Sequence, residues 1–172
     1  MSRKNLTIAA LPGYPEEIGR WLWGMEDVRR TLLDLVRGLK PEELDRKLEG
    51  QASTVGSLLY HIALIEADWL YAEVLESEPG PEIETWFPAS HRDAEGRLSP
   101  VGGESFEQHS ERLSAVRKDF LEHFRSIGPE DWRRPRTLPD YDVTPEWVVY
   151  HLIEHEAHHR GQIAQMVKQL RS

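Results

Sequence analysis

Four of the eight histidines in this 172-residue chain fall within residues 144–170, TPEWVVYHLIEHEAHHRGQIAQMVKQL. Val148, Leu152, Ile163, Met166 and Leu170 recur there at helical spacing, so they share one face of a helix that advances about 100° per residue. His155 and His159 fall on that same apolar face, one turn apart, while His151 and His158 lie to one side of it. An imidazole in an apolar stripe needs a hydrogen-bond partner or a metal. Two at i and i+4 can aim nitrogens at one ion. Carboxylate partners would satisfy the same pair without a metal, and the spacing alone leaves both readings open.

His155-Glu156-Ala157-His158-His159 matches H-E-x-x-H, the signature of zincin metalloproteases. The match is weak, because the short stretch after His159 offers no downstream third ligand. Nor does any segment alternate as a strand that could hold an extended peptide. Glu156-x-x-His159 also matches half of a di-iron carboxylate site, but a second Glu-x-x-His is absent from the sequence. Neither chemistry is expected.

Composition narrows the rest. The net charge of −9, with no basic run, argues against nucleic-acid binding. With no cysteine, the chain has no disulfide, thiolate ligand or cysteine nucleophile of its own. The opening residues MSRKNLTIAALPG carry too short an apolar run for a signal peptide or anchor, and no stretch approaches a membrane span. The expectation is a single cytoplasmic domain acting on a small molecule, without nucleic acid or membrane.

The elements that position the histidines read as four amphipathic helices. Residues 15–39 carry Ile18, Leu22, Met25, Val28, Leu32, Leu35 and Leu39 at spacings of three and four. Trp21 and Trp23 read as core and rim. Thr54 caps a second helix over residues 55–75, with Val55, Leu58, Ile62, Ile65, Trp69 and Ala72 inward, His61 at the edge of the stripe and Glu66 at the other edge. Ser105, with Gln108 in a capping box, opens the third, whose stripe runs Phe106, His109, Leu113, Val116, Phe120, Phe124 and Ile127. His109 and His123 read as structural, although His109 as a fourth ligand would close the site. Thr144 caps the fourth helix and Pro145 takes its first position.

Between the second and third helices, residues 77–103 form a long break rich in proline and glycine. Such a loop lets the helices it joins run parallel across a bundle. Trp86, Phe87 and His91 within it could line a substrate mouth, though packing on the bundle suits them better. PEEL at 41–44 echoes PEDW at 129–132, and TVGSLLYHI from Thr54 echoes TPEWVVYHL from Thr144, so the chain reads as helix–connector–helix twice. The echo makes the second and fourth helices equivalent, and His61, His155 and His159 become candidates for one site. Glu66, Glu154 and Glu156 are candidate acceptors for the second ring nitrogens.

LLYHIALIEADWL (58–70) and HEAHHRGQI (155–163) resemble the two signature segments of the DinB/YfiT-like superfamily of bacterial metal-binding proteins. The shared pattern is a histidine, glutamate and aromatic in the second helix, then H-x-x-x-H-x-G-Q in the last. The resemblance implies an all-α, up-down-down-up four-helix bundle with a long crossover, often dimeric, here a homodimer. It implies His61, His155 and His159 as ligands of a divalent metal, zinc or nickel, with Gln162 in a packing or supporting role. It also implies a transferase acting on a low-molecular-weight thiol of the bacillithiol or mycothiol type. Two alternatives stand: a hydrolase using metal-activated water with Glu66 or Glu156 as base, and a non-enzymatic metal or small-ligand-binding stress protein.

Overall fold

The computed structural model describes residues 6–90 and 98–171. His91 lies outside the described residues. The described residues are all-α apart from one small ribbon. Its helices are α1 (Glu16–Val36), α2 (Pro41–Leu44), α3 (Val55–Asp68), α4 (Pro81–Glu84), α5 (Phe106–Phe124), α6 (Pro129–Trp132) and α7 (Pro145–Leu170). Four of them are long, and these pack α1 on α7, α7 on α3, α3 on α5 and, more loosely, α5 on α1.

The caps follow the sequence. Thr54 and Thr144 side chains accept from the Ser57 and Trp147 amides, and the Ser105 hydroxyl accepts from the Gln108 amide while Gln108 Oε1 accepts from the Ser105 amide. These bonds satisfy amides that the first helical turn leaves without a carbonyl partner. Ile18, Leu22, Met25 and Leu32 of α1 meet Leu113, Phe120, Ile163 and Met166 in one core. The two echoed tetrapeptides are both short helices begun by proline, and each buries its fourth residue, Leu44 or Trp132, completely.

Three features depart from the sequence reading. The second helix does not continue as α-helix to residue 75: from Trp69 to Leu75 it is a π-helix, closed by Glu76 in the left-handed region at φ 52°. A π-turn holds more residues than an α-turn and so rotates the stripe. Leu70, Glu73 and Val74 turn inward, while Ala72, read as inward, is exposed. The connector before α7 also carries two strands, β1 (Arg136–Thr137) and β2 (Asp142–Val143), paired antiparallel with Arg136 opposite Val143. Two residues per strand are too few to show an alternation in sequence. Finally, the long break holds the short helix α4 and is fastened to the long helices. The Tyr60 hydroxyl donates to the Ala89 carbonyl at 2.7 Å, Arg112 Nε donates to the Trp86 carbonyl at 2.8 Å, and Phe87 packs edge-on against Tyr60.

Candidate metal centre

Three imidazoles converge between α3 and α7. His155 Nε2 lies 3.1 Å from His61 Nε2 and 3.1 Å from His159 Nε2. All three ligand-type atoms fall within 4.8 Å of one another. Nitrogens held about 2.1 Å from one ion lie about 3.4 Å apart in a tetrahedron and about 3.0 Å apart on an octahedral face. The two 3.1 Å spacings from His155 fall between these values and suit either geometry. His61 is buried, and His155 and His159 are half-buried.

The protonation pattern also suits a cation. Burial pushes the His155 ring down to about 3, helped by the neighbouring His159, His61, His151 and His158. Burial likewise lowers His159, against an opposing hydrogen bond to Gln162. Both rings are therefore neutral at neutral pH, with lone pairs to give. His159 Nδ1 sits 2.8 Å from Gln162 Oε1, while Gln162 Nε2 sits 3.1 Å from His158 Nε2. The amide oxygen can only accept, so Nδ1 of His159 carries its proton and Nε2 presents its lone pair to the cluster. Gln162 thereby fixes the tautomer, the task usually done by a carboxylate.

Glu66 and Glu156 hold no histidine, because arginines occupy their oxygens. Glu66 accepts from Arg29 Nη2 at 2.5 Å and from Arg117 Nε and Nη2 at 2.6 and 2.9 Å. Glu156 accepts from Arg29 Nε at 2.7 Å and Arg117 Nη2 at 3.2 Å. Arg29 also donates to the Leu113 carbonyl, and Arg117 to Glu26. This buried quartet ties α1, α3, α5 and α7 together. Burial alone would raise the Glu66 carboxyl, but Arg117 and Arg29 outweigh it and hold it below the ordinary value. Burial would lower Arg117, and Glu66 and Glu156 reverse that. The third proposed acceptor, Glu154, is exposed.

The sequence reading missed this quartet. Its signal was there: Arg29, Glu66, Arg117 and Glu156 each follow a core residue by three or four positions, and their charges cancel. Position alone did not show that four separate helices aim them at one point.

His109 stands apart from the three-histidine group. It is buried against Glu104 and Arg112, with Nδ1 3.3 Å from Glu104 Oε2. His123 packs edge-on to Tyr71. His151 stacks on Trp147 and leans against Trp69 at a tilt of 43°. A cleft of about 450 Å³ opens beside His159 and Gln162, walled by residues 50–53 of the first connector and by Leu98 and Met166. Phe87 lines a different cleft, of about 890 Å³, on the outer side of α3 and the π-helix.

A family model described as the DinB superfamily matches residues 25–163. A crystal structure of a conserved protein from Enterococcus faecalis shares the fold, with a TM-score of 0.71 at 14% identity, covering 86% of this chain and 93% of that one. No curated protein matches the sequence. Among the described residues, no helix is long and apolar enough to cross a membrane.

Proposed function

The chain belongs to the DinB superfamily, and from that premise we propose that it is a metal-dependent transferase of a low-molecular-weight thiol, with His61, His155 and His159 as the metal ligands. The convergence of three imidazoles, with His155 Nε2 3.1 Å from both His61 Nε2 and His159 Nε2, carries this reading. An ion on three protein ligands keeps coordination positions open and lowers the pKa of a thiol or water that binds there. Zinc or nickel suits such nitrogen donors.

The chain's own residues divide the remaining work. His61 and His155 present ring nitrogens from facing helices, and Gln162 holds the His159 tautomer. The neutral polar walls at Gln51, Ser53 and Gln162 receive a small polar cosubstrate beside the ligands. With no cysteine in the chain, the sulfur must come from a diffusible thiol of the bacillithiol or mycothiol type. An ion held by His61, His155 and His159 would lower the pKa of a bound thiol so that its proton could pass to solvent without a protein base. A hydrolase reading asks for one, and both carboxylates considered for it, Glu66 and Glu156, are spent on arginines. That observation favours the transferase.

The same proposal includes a single domain in which the four long helices form an up-down-down-up bundle, supported by the ring of packed pairs and by the long connection from the π-helix to α5. It also includes a homodimer and a cytoplasmic location, where such thiols are kept reduced. Elemental mass spectrometry on untagged protein tests the centre. One equivalent of zinc or nickel, lost in His159→Ala, supports it; a wild type that stays metal-free after zinc soaking sinks it. Turnover of monochlorobimane with bacillithiol or mycothiol by the loaded protein, absent in the variant, then supports the transferase. A loaded protein inert with both thiols would leave the binding role alone.

A further inference from the structure

The π-helix and the β2 end of the ribbon border a third cleft, of about 560 Å³, lined by Trp69, Tyr141, Asp142, Val143, Thr144 and Trp147. That volume is within the usual range for small-ligand sites. Its walls are unlike those beside His159. The Trp69 and Trp147 rings lie 5.3 Å apart and are tilted 36° to each other, a wedge rather than a closed stack. Trp147 and Tyr141 are 45% and 47% exposed, so two large rings stand at an open surface.

Behind the aromatic wall lies negative charge. The Tyr141 hydroxyl donates to Glu73 Oε1 at 2.7 Å. Glu73 is itself 92% buried, being only 8% exposed, and its Oε2 has no hydrogen-bond partner among the described residues. A buried carboxylate oxygen left without a donor is costly unless something compensates it. The hydrogen bond to Glu73 pushes Tyr141 up to about 12, and Asp68 and Asp140 add to the effect from further out. Asp142 is in the cleft wall, and no lysine or arginine lines it. The N-terminus of α7 opposes this field with only about half a positive charge, and Glu146 stands in its first turn. Arg133 lies 3.8 Å from Glu146 and Arg136 donates to the Val74 carbonyl, so the negative charge next to the cleft is that of Asp142 in its wall and of Glu73 behind Tyr141.

We propose that this cleft binds an organic cation, an alkylated ammonium head seated against the Trp69 and Trp147 faces with Glu73, Asp142 and their neighbours supplying the counter-charge. Aromatic faces carry a negative quadrupole and attract such cations when the charge lies within about 6 Å of the ring centre. No local spacing hints at it. Trp69 reads as core, and the π-helix carries both Trp69 in the cleft wall and Glu73 behind Tyr141. Tyr141 arrives from a connector, and Trp147 from the first turn of α7.

The test compares choline with its uncharged isostere 3,3-dimethylbutan-1-ol on the metal-free and zinc-loaded protein. Indole N–H resonances are followed by NMR and assigned with Trp69→Phe and Trp147→Phe. Saturable shifts confined to Trp69 and Trp147 are expected for choline, with the isostere about tenfold weaker. Trp147→Ala, at a half-exposed position, abolishes the shift at Trp69, and Glu73→Gln weakens choline severalfold while leaving the isostere unchanged. Equal binding of the two compounds, shifts at other indoles, or no saturable shift overturns the proposal. Because the metal-free protein is included, the outcome does not depend on the metal centre.

Discussion

Replacing Glu156 by glutamine tests the division between the arginine quartet and the histidine cluster. Glu156 lies directly after His155, a proposed ligand, and matches the catalytic glutamate of the zincin signature. In the structure its side chain is 3% exposed and accepts at 2.7 and 3.2 Å from Arg29 and at 3.2 Å from Arg117. The quartet is balanced, two arginines against Glu66 and Glu156. Removing one carboxylate leaves a net positive charge in the core, offset only by the partly exposed Glu26 on Arg117. The glutamine also turns an N–H₂ toward donors that need acceptors. Breaking one partner from a buried pair costs about 3–5 kcal/mol. For a chain of this size each kcal/mol shifts Tm by about 2–4 °C, so Glu156→Gln should melt about 6–20 °C lower. Thermal and urea unfolding by circular dichroism measure this, and competition with a chromophoric chelator measures zinc affinity. That affinity should stay within about threefold of wild type at a temperature where both proteins are folded. The double variant Arg29→Met/Glu156→Met, which keeps the Glu66–Arg117 pair and removes the imbalance, should recover part of the loss. A Tm within two degrees or so of wild type would refute the brace. A stable variant with zinc affinity collapsed would return Glu156 to the metal site.

Gln162→Ala should lower zinc affinity about 10–100-fold with little change in Tm, since Gln162 is exposed and acts on the His159 tautomer; unchanged affinity would remove it from that role. The pH dependence of stability has a defined sign. Glu66 has a folded pKa below its ordinary 4.5, so its contribution is complete above about pH 4.5 and is lost as pH falls through the folded value. Urea midpoints should therefore fall more steeply below pH 4.5 in wild type than in Glu66→Gln, and parallel profiles would contradict the assignment. Trp132→Ala should cost about 3–5 kcal/mol by emptying a fully buried site against Phe124; a loss under 1 kcal/mol in urea unfolding would mean the second connector does not anchor to the core.

The four long helices were legible because their information is local. Thr54, Ser105 and Thr144 mark their own helix starts through side chains that reach amides three residues away. Ile18, Leu22, Met25 and Leu32 are inward because a 3.6-residue repeat puts them on one stripe. His155 and His159 share that logic at i and i+4. His61 joined them only through the internal echo and the family resemblance, which suggested that α3 and α7 face each other.

What lies beyond local spacing belonged to the tertiary structure. Glu66 and Glu156 read as carboxylates near histidines and became partners of Arg29 and Arg117, because four helices converge on a point that no single-helix pattern contains. Ala72 read as inward and is exposed, because a π-turn changes the period partway along a continuous apolar run. The wedge of Trp69 and Trp147 joins residues 78 positions apart (147 − 69) with a ribbon too short to show in sequence. Periodicity and caps are set within a turn or two of chain, so the sequence alone determined the helices and their faces. Charge pairing, ring stacking and the meeting of ligands depend on which faces are brought together, and only packing decided that.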